Sequence, residues 1–219
     1  MGQLGHVLEL MQGARRRYSM LELQINVWVD DDLLRTSFAD VTDGPVLEPL
    51  GVRKEQVRMW VASPRRWRVR FPATEQGRDG EVWWSTDPNG FTTGVAGRWG
   101  VQFPEAEVQP FEELWDPALL ISELWLEPRA GTQVIGREAI LVGGSPRPTE
   151  RPSGNDFIIL EFPGGDEHEL VVDAELGIVL RLRSFWRGQE MVREQVAGID
   201  IDGSAPEGFF ARPEAEREP

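Results

Sequence analysis

Met20-Leu21-Glu22-Leu23-Gln24-Ile25-Asn26-Val27-Trp28-Val29 is the stretch on which the fold class turns. Leu21, Leu23, Ile25, Val27 and Val29 alternate with Glu22, Gln24, Asn26 and Trp28, a period of two that places the first set on one face. The pattern predicts a long strand, with Leu21, Leu23, Ile25 and Val27 directed toward a covering layer. Upstream, Leu4, Val7, Leu8 and Met11 recur at the helical period, and Arg15, Arg16 and Arg17 stand where cations favour the C-terminal end of the helix dipole. A short amphipathic helix therefore precedes the strand.

Downstream, Asp30-Asp31-Asp32-Leu33-Leu34 reads as an acidic helix start, and Asp43-Gly44-Pro45 to Gly51 reads as a loop. Strand character returns at Val57, Met59 and Val61, breaks at Ser63-Pro64, and resumes at Trp67, Val69 and Phe71 with Arg66, Arg68 and Arg70 opposite. Glu81–Ser85 and Phe91–Val95 flank Asp87-Pro88-Asn89-Gly90, which predicts a hairpin. Asp116 offers an N-cap and Pro117 a first helical residue for a helix over Asp116–Glu127. Further strands are expected around Thr132–Val142, Phe157–Phe162, Glu169–Asp173, Ile178–Trp186 and Met191–Ile201. Gly143–Gly154 reads as a loop joining two of them.

Many strands, few helices and no strict alternation between them predict an α+β fold with a large antiparallel sheet. No repeat or linker divides the chain. The expectation is one domain over residues 1–213 and a charged flexible tail over 214–219.

The 219 residues carry 23 basic and 37 acidic side chains, for a net charge of −14, and a pI of about 4.6. That charge opposes binding to nucleic acid or anionic lipid surfaces. The absence of cysteine removes disulfides, thiolate metal sites and thiol nucleophiles. No window supplies the about 18–20 apolar residues of a membrane span. The N-terminus lacks a basic segment followed by an unbroken apolar run, so the chain as written reads as cytoplasmic.

Catalytic groupings are sparse. His6 and His168 are the only histidines. Gly143-Gly144-Ser145-Pro146 does not fit a nucleophile elbow, and the single lysine, Lys54, follows no phosphate loop. Gly90, Gly94, Gly97 and Gly100 miss the dinucleotide spacing. Asp166-Glu167-His168-Glu169 reads as a solvated turn rather than a metal site. Asp200-Ile201-Asp202-Gly203 reads as a strand end rather than a calcium loop, because the first and last ligand positions would fall on Gly198 and Phe209. Arg65, Arg66, Arg68 and Arg70 form either an anion site or a solvated face paired with acids, and the alternation favours the face. The nine Trp stand against one Tyr. Trp60, Trp67, Trp84 and Trp186 fall in expected strands, where they either fill a core or line an apolar cavity.

The order of pieces resembles the outer-membrane lipoprotein carrier (LolA-like) family. An amphipathic helix ending in Arg17-Tyr18 and a long first strand are followed by Met59-Trp60-Val61-Ala62-Ser63-Pro64-Arg65-Arg66-Trp67-Arg68, similar to the family's strand–Pro–Arg–strand passage. Glu81-Val82-Trp83-Trp84-Ser85, Asp116-Pro117, Val134-Ile135-Gly136-Arg137-Glu138-Ala139 and Leu170-Val171-Val172-Asp173-Ala174-Glu175-Leu176-Gly177 resemble further family elements in the same order. Pro206–Pro213, with Phe209 and Phe210, resembles the closing segment. The chain thus looks like a divergent member without a signal sequence.

The resemblance implies a strongly curved antiparallel sheet, a half-open barrel, with helices covering its concave face over an apolar cavity. It implies exported relatives and no catalytic residue, and the motif spacings above predict no metal and no cofactor. The expected function is non-catalytic binding of an apolar small molecule, a lipid, or an acylated peptide or lipoprotein. The expected cavity wall is Leu21, Leu23, Ile25, Trp67, Val69, Trp84, Leu119, Leu124, Trp125 and Leu182. The alternative is a protein-interaction or regulatory module of the same fold with a closed, packed cavity.

Overall fold

The computed structural model describes residues 2–42, 51–87, 90–95, 110–147 and 165–211. The expected strand Phe157–Phe162, the tail 214–219 and Gly97 and Gly100 of the glycine series lie outside the described residues.

Helix α1 (Gln3–Gly13) is followed by a short 3-10 turn at Ala14–Arg16 and by strand β1 (Leu21–Asp30). The remaining elements are α2 (Asp31–Thr42), β2 (Val52–Ser63), β3 (Arg66–Arg70), β4 (Glu75–Asp79), β5 (Val82–Asp87), β6 (Gly90–Val95), α3 (Glu112–Trp115), α4 (Ala118–Glu123), β7 (Leu124–Val134), β8 (Arg137–Pro146), β9 (Glu167–Asp173), β10 (Val179–Trp186) and β11 (Gln189–Ile201). Among the described residues the strands form a sheet of 11, in the order β6-β5-β4-β3-β2-β1-β11-β10-β9-β8-β7. The sheet is antiparallel and the class is α+β, as the sequence predicts. Among the described residues no helix is long and apolar enough to cross a membrane.

In β1 the odd residues Leu21, Leu23 and Ile25 are each 0% exposed while Gln24 and Asn26 face water, so the expected parity holds. The helix expected over Asp116–Glu127 ends at Glu123. Leu124 and Trp125 instead open β7, paired with Pro146 and Ser145. Gly143, Gly144, Ser145 and Pro146, expected as loop, complete β8. Two elements escape the sequence reading: β4, whose Glu-Gln-Gly-Arg-Asp carries no apolar alternation, and the single-turn α3.

The chain packs as two compact units. The first comprises Met1–Arg17, Asn26–Glu55 and Phe111–Ala197. The second comprises Tyr18–Ile25, Gln56–Pro110 and Gly198–Pro219. In the first, α1, α3 and α4 pack against one another and against β7 and β10. Cross-strand partners share a face, so Glu194, Leu182, Leu170 and Val142 form one row and Val192, Ser184, His168 and Gly144 the next. This is the apolar inner face. Arg193, Arg183, Glu169 and Gly143 alternate onto the other side.

In the second unit the register separates two faces. Val61 opposes Trp67 and Met59 opposes Val69, all buried. Trp60 opposes Arg68, Arg68 opposes Gly77, and Gly77 opposes Trp84. Trp84 therefore lies on the opposite face from Trp67 and Val69. The expectation that all three share one wall is corrected.

Candidate functional site

The inner face of the first unit starts from residues that burial would reject singly. His168 is 1% exposed, and its Nδ1 lies 3.0 Å from Ser184 Oγ. Burial pushes its pKa down to about 4, with Asp166 opposing, so the ring is neutral at pH 7. The expected solvated turn holds for the exposed Asp166, which accepts a hydrogen bond from the Arg187 amide at 2.9 Å, and fails for His168. Among the described residues no group of three His, Asp or Glu could hold a metal ion.

Glu194 lies on the same face, beside Leu182 in the register, and is 8% exposed. Its carboxyl and that of Glu113 on α3 are neighbours close enough to shift each other's titration. Burial pushes both carboxyls above their ordinary range, and the neighbouring Glu113 raises Glu194 further. The pair holds α3 to the sheet at this point. At the other end of the same helix, Arg15 bonds Asp116 at 2.9 Å and stacks over Trp115 at 5.2 Å.

Of the expected wall, Leu124 and Leu182 fall in this unit and are buried. A Cβ on Gly144 would meet both Leu124 Cδ1, at 2.9 Å, and Leu170 Cδ1, at 3.4 Å, which places these leucines together on the inner face. Leu119 and Trp125 do not join them. They are 42% and 59% exposed, because α4 is too short to carry both inward and Trp125 stands on β7, where Arg147 covers its ring at 4.1 Å.

The reverse face carries charge. Glu190 bonds Arg193 and Arg183, which hold its pKa down to about 2. Glu169 bonds Arg181 and Arg183. At the hairpin joining β9 and β10, Arg137 and the Glu175 and Leu176 amides hold the Asp173 carboxyl below its usual range although burial opposes them. This locks the turn that follows β9.

In the second unit Leu21, Leu23, Ile25, Trp67 and Val69 are all buried. Glu22 bonds Arg58 and Trp60, so it shares their face, and its neighbours Leu21 and Leu23 share the other with Met59 and Val69. Trp67 Nε1 is buried with no hydrogen-bond partner among the described residues.

The opposite face holds a guanidinium–aromatic stack that the sequence reading did not assemble. Arg68 makes two bonds to Glu75, each 2.9 Å, and donates to the Phe209 carbonyl at 2.8 Å. Its guanidinium lies 4.9 Å from the Phe209 ring and 5.4 Å from that of Trp84. Trp84 Nε1 donates to the Phe210 carbonyl at 3.1 Å. The expected pairing of Arg66 and Arg70 with surface acids holds, through Asp79 and Glu75. Arg68 is not solvated: it is the seat on which the segment after β11 is fastened.

No family model and no curated protein matches the chain. Solved structures do. A conserved protein of Thermus thermophilus, described as uncharacterized, is 9% identical with a TM-score of 0.54, over 96% of this chain and 94% of that one. MucB, also solved in complex with MucA, is 18% identical with a TM-score of 0.50, over 96% of this chain and 62% of MucB. A LolA superfamily protein of Nitrosomonas europaea is 7% identical with a TM-score of 0.40, over 97% and 99% of the two chains. The fold of this chain is that of the Thermus protein and of MucB.

Proposed function

We propose that the protein is a non-catalytic binder of an apolar ligand, a lipid or an acylated peptide or lipoprotein, taken up on the inner face of its sheet, with residues 1–213 acting as one domain. The observation that carries this reading is the row Val142, Leu170 and Leu182, each 0% exposed, continued by Glu194 to the helix α3 that packs on β10. Sheet and helix there are joined by a carboxyl pair set among the buried Leu114, Trp115 and Leu182. Of the expected wall the reading retains Leu124 and Leu182 in the first unit; Leu21, Leu23, Ile25, Trp67 and Val69 form a separate buried apolar face within the second. Each methylene of a bound chain would contribute about 0.8 kcal/mol.

Titration with Nile red, a neutral environment-sensitive dye, tests the reading. Saturable binding that Leu182→Asp removes supports it, as does a lipid recovered by solvent extraction of the purified protein. A wild type with neither bound lipid nor saturable dye uptake overturns it.

A second reading, a protein-interaction module with a packed interior, is favoured by the exposed Trp125 on β7, the last strand in the order of the described sheet, and by the exposed Leu119. Such an edge accepts a partner strand. Loss of a partner on Trp125→Ser, with dye uptake absent throughout, would establish it.

A further inference from the structure

Glu113 and Glu194 approach each other from α3 and β11, elements whose carboxyls lie 81 positions apart in the chain (194 − 113). Their surroundings are apolar: Leu182 opposes Glu194, Val196 lies on the same face, and Leu114 and Trp115 follow Glu113, each of these four 0% exposed. Glu194 Oε2 is buried and has no hydrogen-bond partner among the described residues, and the Glu113 carboxyl is its charged neighbour. Arg15, the cation that reaches the same helix, is committed to Asp116 and to the Trp115 ring. Two desolvated carboxyls side by side are costly unless they share a proton or hold a cation.

We infer that Glu113 and Glu194 are the headgroup socket of the apolar site, and that the ligand class is a single-chain amphiphile ending in a protonated primary amine. This rests on the apolar-binding reading above. An ammonium has three donors and no acceptor, so it satisfies Glu194 Oε2 and Glu113 together through charge-assisted bonds. Its alkyl chain then lies over Leu182 and Leu170. The proton the two carboxyls share leaves to solvent, and the ammonium takes its place as counter-charge. A neutral alcohol offers one weak donor to the same socket, and a fatty acid brings a third carboxyl into it.

Isothermal titration of the full chain at neutral pH with decylamine, decanol and decanoate tests this. The wild type should bind decylamine at least about tenfold more tightly than decanol, and decanoate most weakly. Glu194→Gln should bring amine and alcohol within about twofold of each other without changing the alcohol. Glu113→Gln reads the same ratio should Glu194→Gln fail to fold. Glu127→Gln removes an exposed carboxylate of the same unit and should keep the wild-type ratio, which separates the socket from general attraction to a chain of net charge −14. Equal binding of amine and alcohol by the wild type, or an unchanged ratio in Glu194→Gln, overturns the socket and leaves the apolar reading standing. Absence of binding by all three overturns both.

Discussion

The indole of Trp84 lies directly on Gly77: a Cβ added at Gly77 would stand 2.6 Å from Trp84 Cε2 and 3.0 Å from its Nε1. The ring cannot move aside, because it is 1% exposed, bonded to the Phe210 carbonyl and covered by Arg68. Gly77→Ala should therefore destabilise by about 2–3 kcal/mol. Urea unfolding checks this, and Gly77→Ala combined with Trp84→Leu should recover part of the loss. A Gly77→Ala protein as stable as wild type would mean the ring is not seated there.

Arg68→Lys keeps the charge and removes the fork that meets Glu75 twice and the Phe209 carbonyl once. The expected cost is about 2 kcal/mol. The segment around Phe209 and Phe210 should exchange its amide hydrogens faster in the variant, while the Asp173 hairpin, in the other unit, should not change. Hydrogen exchange measured by mass spectrometry distinguishes this from general destabilisation.

His168 predicts an acid-labile interior. Its folded pKa of about 4 lies below the unfolded value of 6.5, so its contribution is intact above pH 6.5 and is lost as pH falls toward 4. The full loss approaches about 3 kcal/mol. The buried carboxyls Glu113 and Glu194 act in the opposite sense, so the comparison is between wild type and His168→Gln. The variant should show a shallower decline of stability between pH 6.5 and 4. Parallel curves would remove His168 as the cause.

Glu194→Gln predicts the converse. A carboxyl with a raised folded pKa contributes stability at low pH that is lost as pH rises through that value. The variant should gain on the wild type as pH rises from 5 toward 8, read as the difference in urea midpoints. A difference independent of pH would show that the pair ionises normally.

How far the sequence reads these features depends on their range. The β1 parity is local, since Leu21, Leu23 and Ile25 sit on one strand, and alternation alone assigns them a face. Trp84 is different. Whether it shares a face with Trp67 depends on the register of β3 to β4 and of β4 to β5, and β4 has no hydrophobic pattern to reveal it. Leu124-Trp125-Leu126 satisfies both a helical and a strand spacing, and pairing with β8 decides for the strand. The Glu113–Glu194 pair has no local signal at all, because nothing near either glutamate marks it as buried among leucine, valine and tryptophan.

The order of the strands also bears on how the chain is made. β1 and β11 are neighbours in the middle of the described sheet, although one is the first and the other the last of the described strands in chain order. Until β11 emerges, β1 and β10 each keep an unpaired edge, and the centre of the sheet waits for a contact of long sequence separation. Synthesis therefore leaves this nascent sheet open between β1 and β10 until β11 arrives, the period in which a holding chaperone would find it.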